Sequence, residues 1–376
     1  MPDTSDSAFT PTTLPDPTDY TCPFSDHIFA TKHGVDLRLR LWPSPVNSPS
    51  PWLLWSHGGA FLFGMHEEVT PWVVPLLLRR GIHVVSFSYR FAPQASLEDI
   101  IDDANDAYAW CRAHLPTFLG TTVALDSYAV AGDSAGGTIA GLLAQTLTPP
   151  PRAFLANHAL LDLADPFFRT RGDNVELSGE FDEAEVIAAA QDNDPAHAII
   201  TCPSPGRIGF GQGALRRAFH SLTLVVGRRQ HLQGDVFTLL NRGNWIDAVL
   251  RGGSNEEKHV YAERHSPLRL LGGRGSDGVN GVATNGVNGH GEGNGTRSRY
   301  PHPPTYFLHG EADAIVPVEQ SRDMAKRLRE LGVPVGEYYE PGAGHVFDQR
   351  FSNRRVKGYD ECCSAAVDFL EVYLRQ

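Results

Sequence analysis

Short unbroken apolar runs alternate with longer stretches of helical spacing along most of this chain. The runs at 52–56, 82–89, 128–131, 153–161, 304–308 and 335–339 leave almost no polar face. That is the pattern of strands covered on both sides. Between them, apolar spacing predicts helices over 68–80, 96–114, from the turn after 134 to about Leu147, over 318–331, and a closing helix over 360–374. Ser96 with Asp99 three residues on is a capping pair for the second of these, and Pro149-Pro150-Pro151 stops the third. Residues 26–41 instead alternate apolar and polar about Lys32-His33-Gly34, predicting an antiparallel hairpin with Val35, Leu37, Leu39 and Leu41 on one face. The expected architecture is α/β: a mostly parallel central sheet of about eight strands with helices on both faces.

Three stretches break the alternation. Residues 1–25, rich in Pro, Thr, Ser and Asp up to about Asp19, are expected to form a flexible N-terminal arm. Over 165–265 strand signals stop and helix-like pieces at 182–191, 214–223 and 231–248 take over, the pattern of a helical lid inserted between a first core part, 26–164, and a second, 266–376. Within the second part, 272–299 is Gly/Asn-rich with little apolar content and is expected to be a disordered loop.

Composition narrows the function classes. With 41% hydrophobic and 20% charged residues in 376, the bulk reads as globular. A net charge of -12 argues against nucleic acid as a partner, because such a surface needs a basic face. Five scattered cysteines, an odd number, fit reduced thiols better than a disulfide framework. No export signal is visible in the acidic, proline-containing start, and no apolar run suits a membrane span, so a cytoplasmic location is expected.

The candidate chemistry centres on Gly132-Asp133-Ser134-Ala135-Gly136, where strand spacing gives way to helix spacing. In a G-x-S-x-G turn the glycines let strand and helix approach closely while the serine hydroxyl is exposed. A serine needs a base within hydrogen-bond reach and a third group to orient that base. His345, freed from regular structure by Gly342 and Gly344, and Asp313, just after the strand at 304–308, fill those roles in the chain order serine, acid, histidine. Glu311 and Asp348 are rival acids, although Asp348 lies too near His345 in sequence to orient it readily. The tetrahedral oxyanion needs fixed donors, and the backbone N–H groups of Gly58 and Gly59, in His57-Gly58-Gly59-Ala60, with that of Ala135, are the candidates. No metal-ligand cluster, phosphate loop or dinucleotide fingerprint is present, so neither cofactor nor metal is expected.

Taken together, H-G-G-A-F-L-F-G (57–64), Y-R-F-A-P (89–93), G-D-S-A-G-G (132–137), H-G-E-A-D (309–313) and G-A-G-H-V-F (342–347) resemble the hormone-sensitive-lipase-like branch of the α/β-hydrolases. The resemblance implies a cofactor-free serine hydrolase acting on carboxylic esters, with Ser134, Asp313 and His345 as triad and the 57–60 loop as oxyanion hole. Two departures stand out: Ala60 replaces a glycine often found there, and both inserted stretches lie between Ser134 and Asp313. The Gly/Asn insert is also similar to accessory hydrolases of fungal polyketide pathways, which suggests a polyketide ester or acyl substrate. Acyl transfer, or condensation and cyclisation, at the same site, and a non-catalytic small-molecule receptor, are the alternative readings.

Overall fold

Alternate residues of one strand feed two separate cores, and this organises the molecule. In the strand Ser50–Ser56, Trp52 and Leu54 join one buried cluster while Leu53 and Trp55 join another on the opposite face, which explains why its sequence is apolar throughout. The computed structural model describes residues 22–46, 48–169, 191–201, 245–271, 300–352 and 355–376.

The strands are β1 (Ser25–Lys32), β2 (Val35–Trp42), β3 (Ser50–Ser56), β4 (His83–Phe87), β5 (Val123–Asp133), β6 (Ala153–Asn157), β7 (Thr305–Gly310) and β8 (Val335–Glu340). They form one 8-stranded sheet in the order β1-β2-β4-β3-β5-β6-β7-β8. Pairing is antiparallel between β1 and β2 and between β2 and β4, and parallel from β4 onward, so the expected mostly parallel sheet is present. The helices α1 (Val73–Arg79), α2 (Leu97–Leu119) and α3 (Ala135–Thr146) separate the earlier strands. Short helices α4 (Trp245–Val249), α5 (Asn255–Arg264) and α6 (Pro267–Leu270) precede β7, and α7 (Val318–Glu330) and α8 (Ala365–Leu374) complete the chain. Residues of α2, α3 and α7 line one core, and those of α1 and α8 the other.

Several boundaries differ from the expected ones for local reasons. Helix α1 starts at Val73, not near Glu68, because Pro71 disfavours helical backbone in the residue before it. Helix α2 opens on the Ser96–Asp99 capping box as expected but runs on to Leu119. It passes through Pro116, which is exposed near its end. Strand β6 stops at Asn157 because His158 takes a positive φ of 34° and turns the chain away. Helix α5 was not expected, although Ser254 and Glu257 form a second capping box legible in the sequence. The N-terminal arm up to residue 21, the expected helix over 182–191 up to residue 190, that over 214–223, most of 231–248, and the loop 272–299 lie outside the described residues.

The turn at 89–95 joins the core to residues 191–201 and to Arg251. Arg90 there is buried and binds Asp103 of α2 through Nε and Nη2, each at 2.9 Å, while its backbone N–H donates to the same carboxylate at 3.0 Å. Lys32 of β1 reaches Asp103 from the other side at 3.0 Å. On the insertion side, Phe91 N–H donates to Ile199 O at 3.0 Å, the Gln94 amide to Asp192 O at 2.9 Å, and Arg251 to Pro93 O. The Tyr261 hydroxyl accepts from Leu97 N–H at 2.9 Å.

Removing one partner of a buried ion pair leaves an uncompensated charge and typically costs about 3–5 kcal/mol. The Asp103→Ala variant, which leaves the buried Arg90 guanidinium only its longer contacts to Asp99, is therefore expected to lose stability toward the lower end of that scale. Urea unfolding monitored by tryptophan fluorescence measures it.

Candidate active site

Strand β5 ends at Asp133 and α3 starts at Ala135, so Ser134 alone makes the turn, with φ 52° and ψ -122°. The turn is possible because of what the flanking glycines lack. A Cβ on Gly132 would lie 2.2 Å from Gly136 O, and one on Gly136 would lie 2.1 Å from Ser56 O, so any side chain at either place would push α3 off the sheet. The Ser134 backbone is pinned as well: its N–H donates to Asn157 O at 3.0 Å, and its carbonyl accepts from Leu160 N–H at 2.9 Å.

His345 reaches the same point from the loop after β8. Its Nε2 lies 3.0 Å from Ser134 Oγ and its Nδ1 lies 2.6 Å from Asp313 Oδ2. The loops carrying the acid and the histidine are clipped together by Ala312 N–H donating to Ala343 O at 2.9 Å. Asp313 is fully enclosed: Oδ1 accepts from the Ile315 and Val316 N–H groups at 2.8 and 3.0 Å, and His309 Nε2 stands 3.1 Å from Oδ2. His309 is held in turn by Ser321 Oγ at 2.8 Å from its Nδ1. Burial pushes the Asp313 carboxyl up, but the hydrogen bonds from His309 and His345 outweigh it and hold the group well below the usual carboxylate range. Burial, followed by the neighbouring charge of His158, pushes His345 below the ordinary histidine value although Asp313 pulls the other way.

The loop beside Ser134 differs from expectation in one donor. Gly58 N–H is not open: it donates to Asp133 Oδ1 at 2.9 Å, which fastens the loop to the end of β5. Gly59 carbonyl accepts from Leu62 and Phe63 N–H at 2.9 and 3.0 Å, making a tight turn in which Ala60 and Phe61 take φ of 53° and 62°. The N–H groups of Gly59, Ala60 and Ala135 have no acceptor among the described residues. The loop is held from behind by Tyr89, whose hydroxyl donates to His57 O at 2.9 Å and whose ring stacks on the His57 ring at 4.4 Å.

Residues 53–200 match a family model described as alpha/beta hydrolase fold, and residues 294–371 match one described as prolyl oligopeptidase family. The chain has the α/β-hydrolase fold. All five sequence blocks of the hormone-sensitive-lipase-like resemblance fall inside these two matched spans, and most of the insertion falls between them. A thermophilic esterase of Thermogutta terrifontis with butyrate bound is similar in fold to this chain, at TM-score 0.54 and 16% identity over 93% of each chain. Among curated proteins, 5-methylorsellinic acid synthase of Aspergillus terreus is 27% identical over 359 residues, 88% of this chain. Non-reducing polyketide synthase ausA of Aspergillus calidoustus is 26% identical over 368 residues, 93% of this chain. The chain spans only 13% and 14% of the length of these two relatives.

Of the residues singled out in the sequence, Ser134, His345 and Asp313 are in one hydrogen-bonded line and Ala135 adjoins it. Glu311, the nearer rival acid, instead pairs with Arg322 at 2.5 Å. Four residues of the site were not singled out for such parts: Asp133, Ala60, His309 and His158. For His309 a signal existed, since H-x-x-x-D spacing from a strand end places both side chains at one loop. Among the described residues no helix is long and apolar enough to cross a membrane.

Because the folded-state pKa of Asp313 is depressed, its stabilising contribution is present above the unfolded carboxylate value of about 3.9 and is lost as pH falls below it. Asp313→Asn is thus expected to unfold more easily than the parent at pH 7, by about 1.5–3 kcal/mol, with the gap closing below about pH 4. Paired urea titrations across that range check it.

Proposed function

We propose that this α/β-hydrolase cleaves a carboxylic ester through an acyl-enzyme on Ser134. His345 Nε2 takes the Ser134 proton as Oγ attacks the ester carbonyl, and Asp313 holds the imidazole by Nδ1 and stabilises the imidazolium that forms. The oxyanion is met by N–H groups already in place, those of Gly59, Ala60 and Ala135, with Gly58 serving to anchor their loop through Asp133. The protonated His345 then gives its proton to the leaving alcohol. Water, activated by the same histidine, releases the acid and restores the serine.

The observation that carries this reading is the unbroken contact line from Ser134 Oγ through both nitrogens of His345 to Asp313, at 3.0 and 2.6 Å. The similarity in fold to a butyrate-bound esterase supports the ester class, and the polyketide synthase relatives support a polyketide acyl group as the natural substrate. Those relatives also favour a second reading in which the acyl group passes to an alcohol, amine or carbon nucleophile in place of water. Product analysis with and without such an acceptor separates the two: free acid in both cases excludes transfer.

Ser134→Ala is expected to lower turnover of a short-chain chromogenic ester on the order of 10⁴-fold or more while leaving the circular dichroism spectrum unchanged. Retained turnover overturns the reading. Because His345 must be neutral to accept a proton and is held below the ordinary value, the acid limb of the kcat/KM profile is expected below about pH 6.5.

A further inference from the structure

The active site contains a second imidazole that the proposed reaction leaves without a task. His158 follows β6 directly and its side chain is 1% exposed. Its ring stands edge to face against that of His345, with centroids 4.6 Å apart and planes at 64°. His158 Nε2 lies 3.3 Å from Oδ1 of Asp348, a carboxylate with no exposed surface. Oδ2 of Asp348 accepts from Trp72 Nε1 at 2.9 Å and from Asn157 Nδ2 at 2.8 Å.

Trp72 and the Asn157 amide both donate to Oδ2, and together with His158 they favour the ionised form of Asp348 against its burial. A carboxylate with no exposed surface needs a countercharge close by. Among the described residues His158 is the group at ion-pair distance from it. Asp348 is therefore the acid partner of His158, as Asp313 is of His345.

We propose that His158, kept as an imidazolium by Asp348, is a positioning residue for His345: its ring packs against the His345 ring and fixes it, and its charge holds His345 in the neutral, proton-accepting form. The inference rests on the reading of His345 as the base for Ser134. The other charged neighbours are accounted for. Asp313 favours a protonated His345, while His309 works alongside His158 against it, and Asp133 and Asp313 join Asp348 in favouring the charge on His158. Burial opposes that charge on His158, but Asp348 together with Asp133 and Asp313 outweighs it.

The test reads ring protonation directly, by NMR titration of protein carrying ¹³C-labelled histidine, with the two signals assigned by their loss in His345→Gln and His158→Gln. Near pH 6.5, where a free imidazole is about half charged, His158 is expected mostly protonated and His345 mostly neutral. In His158→Gln the His345 midpoint is expected to rise by about half a pH unit or more, since a like charge has gone. His158→Phe, which keeps an aromatic ring but no charge, is expected to raise it too; a packing role alone would leave it unmoved. A neutral His158 in the parent protein at that pH, or an unmoved His345 midpoint in either folded variant, overturns the inference, and the parent measurement decides it even if neither variant folds. None of these signals depends on turnover, so an unmoved midpoint with ester cleavage still lost in Ser134→Ala would sink this inference alone. Turnover surviving in Ser134→Ala would instead sink the hydrolase reading.

Discussion

Helix α3 comes so close to β3 that there is no room for a side chain at Gly136, and the rest of the site follows from that approach. With the helix seated against Ser56 and His57 carbonyls, the chain must reverse within a single residue, which puts Ser134 in its positive-φ conformation. The same seating sets the 57–63 loop beside the turn: Gly58 lies against Asp133 and the Ser134 Cβ, and its N–H is taken up by the Asp133 carboxylate. Ser134 and the 57–63 loop are thus registered against each other by one steric contact and one hydrogen bond. A change in one displaces the other.

Electrostatically the site is two carboxylate–imidazole pairs sharing a wall. The side chains of Asp313 and Asp348 are both without exposed surface, and each meets N–H donors from separate elements. The Asp313 carboxylate accepts at both oxygens, whereas Asp348 accepts from Trp72 and Asn157 at Oδ2 alone and turns Oδ1 toward His158. The two rings touch each other, not each other's acids, so protonating one makes protonating its neighbour harder. That coupling suits a base that must be free to accept a proton at each attack.

The sheet and the Ser134 turn were legible because steric patterning is local. Apolar runs reveal strands buried on both faces, and glycines two before and two after a serine reveal a crossing too close for a Cβ. Asp313 and His345 were legible because each follows a strand at the edge where parallel sheets present their loops. The Gly58 misassignment has a different cause. Whether a loop N–H is free depends on a side chain 75 residues away, and nothing in H-G-G-A says that Asp133 will take it. His158 was missed for a similar reason: its partner comes from beyond β8, two strands across the sheet order, and only the topology brings them together. The start of α1 shifted where a single residue, Pro71, acted through the preceding backbone, which periodicity does not register.

The turn at 89–95 receives the chain from both sides of the 202–244 stretch, through Asp192 and Ile199 before it and Arg251 after it, and is itself locked to the core by Arg90 and Asp103. Residues 191–201 and Arg251 are thus fixed to one another through a single turn, so losing the Arg90–Asp103 clamp is expected to loosen both of them along with the turn that joins them to the sheet.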